Sequence, residues 1–206
     1  ILNTSKKDKN IILSITTKEL FLGHGSYGNA ILNSNLIVDI SKENKILIQG
    51  DIKAKNLKAL YNIPAMNISK DKAIIIVSKN PKLIEKDFFL ENIALELLVF
   101  ADDIKYSVKN IDLKASTVLN LKKDFEKSLK IYGSVHNVKG SLLELGKTYN
   151  IEDSSVYFNG LEPIDPILDI KASTKVEEID IFIIISGSLN NPRLNLNSNP
   201  VMNQKD

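Results

Sequence analysis

The sequence predicts an all-β protein with little helix, in which many mostly antiparallel strands present one apolar face. Three observations predict it. Apolar and polar residues alternate with period two along most of the chain, the signature of half-buried strands. Ile, Leu and Val outnumber the aromatics, which are 6% with no Trp, and the β-branched members of that set favour strands. Short turn signals, rather than long stretches of helical spacing, separate the runs.

Taken in order, Ile11, Leu13 and Ile15 share the first face, followed by Leu36, Val38 and Ile40 and then by Ile46, Ile48, Ile52 and Ala54. Between the first two runs stands Gly23-His24-Gly25-Ser26-Tyr27-Gly28. It matches the G-x-G-x-x-G of dinucleotide sites, but strand-like Leu36-Ile37-Val38 follows where that site needs a helix, so it reads as a Gly-rich turn. Lys55 to Asn62 and Pro81 to Asp87 are the two stretches expected to hold a helical turn. Leu95, Leu97 and Val99 begin the next run, Asp102-Asp103 reads as a turn, and Ile104, Tyr106 and Val108 follow. Ile111, Leu113, Ala115, Leu119 and Leu121 then oppose Asp112, Lys114, Ser116, Asn120 and Lys122, the clearest amphipathic strand in the chain. Leu129, Ile131 and Val135 form the next face, then Leu143 and Leu145, Val156 and Phe158, Leu168, Ile170 and Ala172, and the series Ile179, Ile181, Ile183, Ile185. Turns fall at Asn80-Pro81, Asn159-Gly160, Pro163, Pro166 and Asn191-Pro192. A face of this kind exposes apolar surface to water unless a second layer or a ligand covers it.

Composition narrows the function. With 43% hydrophobic and 25% charged residues in a chain of 206, the protein folds, as one large domain or two small ones. Lys+Arg 27 against Asp+Glu 25 gives a net charge of +2, no field of one sign. Arg193 is the single arginine, and the aromatics Phe88, Phe89, Tyr106, Tyr132, Tyr149, Tyr157 and Phe158 are scattered, so nucleic acid is not an expected partner. The absence of cysteine removes disulfides, thiolate metal sites and cysteine nucleophiles. No apolar run reaches the ~18 residues of a membrane helix, and ILNTSKKDKN reads as neither signal peptide nor anchor. The chain, opening on Ile and ending NPVMNQKD, is expected to be a piece of something longer. His24 and His136 lack metal-ligand spacing, no G-x-S-x-G turn is present, and Asp102-Asp103, Asp165 and Glu177-Glu178 read as turns and solvated faces. The expectation is a non-enzyme without metal or cofactor.

Three runs stand out in the C-terminal half: Gly133-Ser134-Val135, then Lys139-Gly140-Ser141-Leu142-Leu143-Glu144-Leu145-Gly146-Lys147 with Thr148-Tyr149-Asn150-Ile151, then Ser155-Val156-Tyr157-Phe158-Asn159-Gly160. In these runs the chain resembles the C-terminal domain of TamB, the translocation and assembly module subunit. Asp165-Pro166-Ile167-Leu168-Asp169-Ile170-Lys171-Ala172 matches the family's D-P-x-L-D-I-x-A strand. Ile185-Ser186-Gly187-Ser188-Leu189-Asn190-Asn191-Pro192-Arg193-Leu194-Asn195-Leu196 with Ser198-Asn199-Pro200 resembles its closing pattern. The motifs are strongest over 130–200 and plausible from 90.

The resemblance implies one elongated curled β-sheet forming an open hydrophobic trough, a β-taco related to AsmA-like and bridge-like lipid-transfer proteins. About a dozen strands ~4.8 Å apart would make it roughly 60 Å long. It implies a groove for phospholipid acyl chains lined by Leu95, Leu97, Val99, Ile111, Leu113, Ala115 and Leu119, then Ile131, Val135, Leu143, Leu145, Val156 and Phe158, then Leu168, Ile170, Ile181, Ile183, Leu194 and Leu196. It further implies a periplasmic location, an inner-membrane anchor on the full-length protein, and transport of phospholipid from inner to outer membrane. The alternative is assembly of outer-membrane β-barrel proteins with a TamA-like partner.

Overall fold

The computed structural model describes residues 10–60 and 91–201. They form one sheet of ten strands in sequential order: β1 (Ile11–His24), β2 (Gly28–Ile40), β3 (Ile46–Ala59), β4 (Ile93–Val108), β5 (Ile111–Lys123), β6 (Lys130–Glu144), β7 (Lys147–Asn159), β8 (Ile167–Val176), β9 (Ile179–Ser188) and β10 (Asn191–Asn199). Every neighbouring pair is antiparallel except β3 and β4, which run parallel from Ile46↔Ile93 to Ala59↔Tyr106. The sheet does not close on itself, so β1 and β10 are its edges among the described residues. Nine intervals of ~4.8 Å make it about 43 Å across, shorter than a dozen strands would give.

The turn expected at Asn80-Pro81 and the helical turn at Pro81 to Asp87 lie outside the described residues, as do Asn62 and Tyr61 of the first helical stretch. Lys55 to Ala59 are strand, not helix: Leu57 pairs with Ile104 and Ala59 with Tyr106, so extending β3 satisfies backbone groups that a lone helical turn would leave open. The Gly-rich stretch is the β1–β2 hairpin, closed by Tyr27 N–H donating to the His24 carbonyl at 3.1 Å.

Five strands carry a bulge near their middle, and these bulges lie side by side. The register shifts between Thr17 and Leu20 in β1, at Lys55–Lys58 in β3, between Ala101 and Ile104 in β4, between Val135 and Gly140 in β6, and between Ile151 and Ser155 in β7. Asp102-Asp103 is therefore not a turn. It is the two-residue side of a bulge opposite Ser116, whose hydroxyl donates to the Asp102 carbonyl at 2.9 Å, and one strand runs through it. Glu19, Asn56, Asn137 and Asp153, in four of the five bulges, sit at φ between 43° and 54°, left-handed backbone that accommodates an extra residue. A bulge bends its strand and increases local twist, so the aligned set creases the sheet and curls it.

The buried residues mark the crease. Among the described strand residues the buried ones are all small: Ser34, Ala54, Ala101, Thr117, Ser154 and Thr174 on the concave face and Ala94 on the other, while Pro166 is buried in the β7–β8 connection. Only small side chains fit where the two halves of each strand fold toward each other. Their hydroxyls satisfy groups freed by the bulges: Thr117 donates to the Ser134 carbonyl at 2.8 Å, Thr174 to the Thr148 carbonyl at 2.8 Å, and Ser154 Oγ accepts from Lys171 N–H at 2.9 Å. No large apolar side chain reaches that degree of burial. Strands make extensive contact only with their neighbours in the sheet, so no second layer packs on either face among the described residues.

Candidate functional site: the uncovered apolar face

Cross-strand register assigns each side chain to a face, because directly paired residues point the same way. One ladder runs Val99, Leu119, Gly133, Phe158, and a second runs Ala101, Thr117, Val135, Val156, Leu168. A third connects Leu113, Gly140, Ile151, Ala172, Ile183 and Leu196. Ile170 pairs with Ile185 and that with Leu194, while Ile181 opposes Thr174. Leu95, Leu97, Ile111, Ala115 and Ile131 join the same face through Ile48, Leu121, Leu142 and Ile104. Seventeen of the nineteen residues read from the sequence as groove-lining thus share one face.

Leu143 and Leu145 do not. Leu143 pairs with Thr148 and is 49% exposed on the opposite side, and Leu145 is 90% exposed in the β6–β7 turn at φ 51°. Leu142 takes the inner position instead, opposite Ile111 and Tyr149. The physical cause is the extra residue at Asn137: it shifts the alternation of β6, so Ile131, Gly133 and Val135 are followed on the same face by Val138, Gly140 and Leu142. The alternation of the N-terminal third is legible in the sequence, but its residues are not among those assigned to the groove. Ile11, Leu13 and Ile15 continue it through Val38 and Leu36 to Ile48 and Gly50, and on to Leu95 and Leu97.

Small residues open a hollow in the face at the hairpin end of β1–β3. Gly28, Ala30 and Ala59 leave about 450 Å³ bounded by Leu22, Leu32 and Leu57, and His24 and Tyr27 lie at its margin with ring centroids 4.9 Å apart. That volume is in the range of small-molecule sites, although this one is a widening of an open surface.

Charge is almost wholly excluded from the concave face. Among the described strand residues in register with it, the charged ones stand at strand ends: Lys123, opposite Leu95, at one rim, and Glu144 paired with Lys147, in phase with Leu142 and Tyr149, at the β6–β7 turn. The other strand charges lie in the bulges or on the convex face. There Gln49 donates to Glu96 at 2.8 Å and Lys122 lies 3.4 Å from the same carboxylate, joining β3, β4 and β5. The Gln49 hydrogen bond, with the Lys122 ammonium second, holds the Glu96 carboxyl below the usual carboxylate range. The convex face is not purely polar, since Phe100, Val118, Tyr157 and Ile167 form a discontinuous apolar row across it.

The arrangement offers nonpolar contact along its whole length. Among the described residues no three His, Asp or Glu side chains come together as metal ligands. Asp102-Asp103, Asp165 and Glu177-Glu178 lie on β4, in the β7–β8 connection and in the β8–β9 turn respectively. His136 lies on the convex face of β6, with Nδ1 3.4 Å from Ser134 Oγ.

No curated protein matches the chain in sequence. A comparison with protein families matches residues 2–206 to the TamB C-terminal domain, which extends the likeness from the C-terminal motifs to nearly the entire chain. The open all-β sheet and the family match agree: the chain belongs to the TamB family, the translocation and assembly module subunit, as its C-terminal domain.

Proposed function

We propose that the concave face binds phospholipid acyl chains and forms the periplasmic part of a bridge carrying them from the inner to the outer membrane. The observation that carries this reading is an apolar face continuous from β1 to β10 on which, among the described residues, no second layer packs. Such a surface in water is unfavourable by ~25 cal/mol per Å² of apolar area, and acyl chains remove that area without asking for directional partners. A chain of about 16 carbons gains ~10 kcal/mol before ordering costs. Because successive strands repeat the same apolar ladder, neighbouring positions are nearly equal in energy, which favours sliding over trapping. The protein acts here as a conduit and not as an enzyme, anchored in the inner membrane through the full-length chain, with a TamA-like barrel as its outer-membrane partner.

The test is native mass spectrometry with lipid extraction on the chain purified gently from a membrane-bearing host. Phospholipid should accompany the wild type and be lost from Leu113→Asp and Ile170→Asp while far-UV circular dichroism is unchanged. A folded wild type free of lipid would overturn the conduit.

One observation favours a second reading. β1 is a 14-residue edge strand with exposed Ile12, Ile15 and Phe21, able to pair with a strand of another polypeptide, as assembly of outer-membrane β-barrel proteins would need. Photo-crosslinking decides: client polypeptide captured along β1 favours assembly, and lipid captured at Phe158 or Leu168 favours the conduit.

A further inference from the structure

Lys123 stands at one rim of a face that carries charge only at its strand ends, Glu144 and Lys147 lying at the opposite end of β6 and β7. It ends β5 at the rim, opposite Leu95 and two residues beyond Leu121, so its stem continues the apolar ladder while its ammonium reaches the margin. Nζ donates to the Ile93 carbonyl at 2.8 Å and to the Asp124 carbonyl at 3.2 Å. An ammonium has three donors, so one remains. The carboxylates nearest in sequence are engaged elsewhere: Asp124 pairs with Lys127 at 2.8 Å, which draws its carboxyl below the usual range, and Glu126 lies 4.0 Å from Lys45. Among the described residues no carboxylate lies within ion-pair distance of Lys123.

A carbonyl-tethered cation with a free donor, at the margin of an apolar face, is placed to meet the anionic end of an amphiphile. We propose that Lys123 binds the phosphate of a phospholipid whose acyl chains lie on Leu95, Leu97 and Leu121. The proposal rests on the lipid-groove reading and adds a headgroup contact to it. The two carbonyls fix the ammonium at the rim, so an arriving phosphate oxygen replaces water at the third donor and gains a charge-assisted hydrogen bond. The apolar ladder beneath supplies affinity, and the lysine fixes which end of the lipid lies at the β5–β6 rim.

The experiment compares a lysophosphatidylglycerol with a monoacylglycerol of the same chain, titrated into the full 206-residue chain stripped of lipid, for wild type, Lys123→Gln and Lys123→Arg. The wild type should bind the phosphorylated amphiphile roughly fivefold more tightly, the size expected of a half-exposed ion pair. Lys123→Gln should lose that preference while retaining the neutral amphiphile, and Lys123→Arg should keep it. An unchanged preference in Lys123→Gln overturns the headgroup contact and leaves the groove intact. Binding of neither amphiphile by the folded wild type overturns the groove reading itself. Inorganic phosphate or glycerol phosphate at millimolar concentration should not compete; if either abolishes the preference, the site is one for free anions and the lipid assignment fails.

Discussion

At Gly133 the backbone has φ +112°, and a Cβ built there would run into the Val118 carbonyl oxygen of the neighbouring strand. Gly146, in the β6–β7 turn, has φ +73° with nothing within 4 Å of its would-be Cβ. The two glycines separate strain from collision. Gly146→Ala should cost about 1 kcal/mol, the ordinary price of left-handed backbone for an L-residue. Gly133→Ala adds a backbone overlap that only a shift of β5 against β6 relieves, so thermal unfolding should show a loss of at least about 2 kcal/mol. Neighbouring side chains also differ sharply in role. Leu142→Asp places a carboxylate among Ile111 and Tyr149 and should reduce lipid retained through purification, whereas Leu143→Asp, on the convex side, should leave it unchanged. Equal loss in both would mean that lipid is not held by the concave face.

Along a strand, what matters is whether the alternation keeps its phase. In β2, β5, β8 and β9 it does, and there the sequence is a faithful guide: Ile111, Leu113, Ala115, Leu119 and Leu121 lie on one face as their spacing says. In β4 the change from odd-numbered Leu95, Leu97, Val99 to even-numbered Ile104, Tyr106, Val108 is legible as a break, but a bulge and a turn leave the same trace in sequence. Which of the two occurs is decided by pairing with β3 and β5. In β6 the slip is hidden, because Gly133 and Gly140 contribute no apolar side chain and Leu142, Leu143 and Leu145 fit either phase. The convex cluster of Gln49, Glu96 and Lys122 depends on register across three strands, including the parallel step, and period-two spacing holds no record of it. It makes its own prediction. Glu96, with a folded-state pKa below its unfolded value, contributes favourably above the unfolded pKa, and that contribution is lost as pH falls through the depressed folded value. In Gln49→Leu its largest cause is gone, so carbon-detected NMR should find Glu96 titrating nearer the ordinary carboxylate range, still drawn down by Lys122.

For the whole molecule, the sheet's two faces are in different states of completion. The convex face is solvated and carries the Gln49, Glu96 and Lys122 cluster, and the crease supplies only small buried residues, so the large apolar side chains of the concave face are left without a core to fill among the described residues. This is why the fold class was legible in the sequence while its meaning was not. Alternation shows that an apolar face exists, and only topology shows that no layer of the described residues covers it. The energetic consequence is that stability is coupled to occupancy. A ligand that binds the folded sheet and not the unfolded chain stabilises by RT ln(1 + [L]/Kd), about 2.7 kcal/mol at a hundredfold excess over Kd. For a chain of this size each kcal/mol moves the midpoint by about 2–4 °C, so saturation with phospholipid should raise Tm by roughly 5–10 °C, rising with the logarithm of lipid concentration. Leu113→Asp, Ile170→Asp and Ile183→Asp should abolish the rise. A naphthalene sulfonate dye should fluoresce on the lipid-free protein and be displaced over the same concentration range. A dye-silent, lipid-insensitive wild type with a sharp unfolding transition would mean that the concave face is already covered, with the protein itself or a second copy as the lid, and sedimentation would tell those two apart.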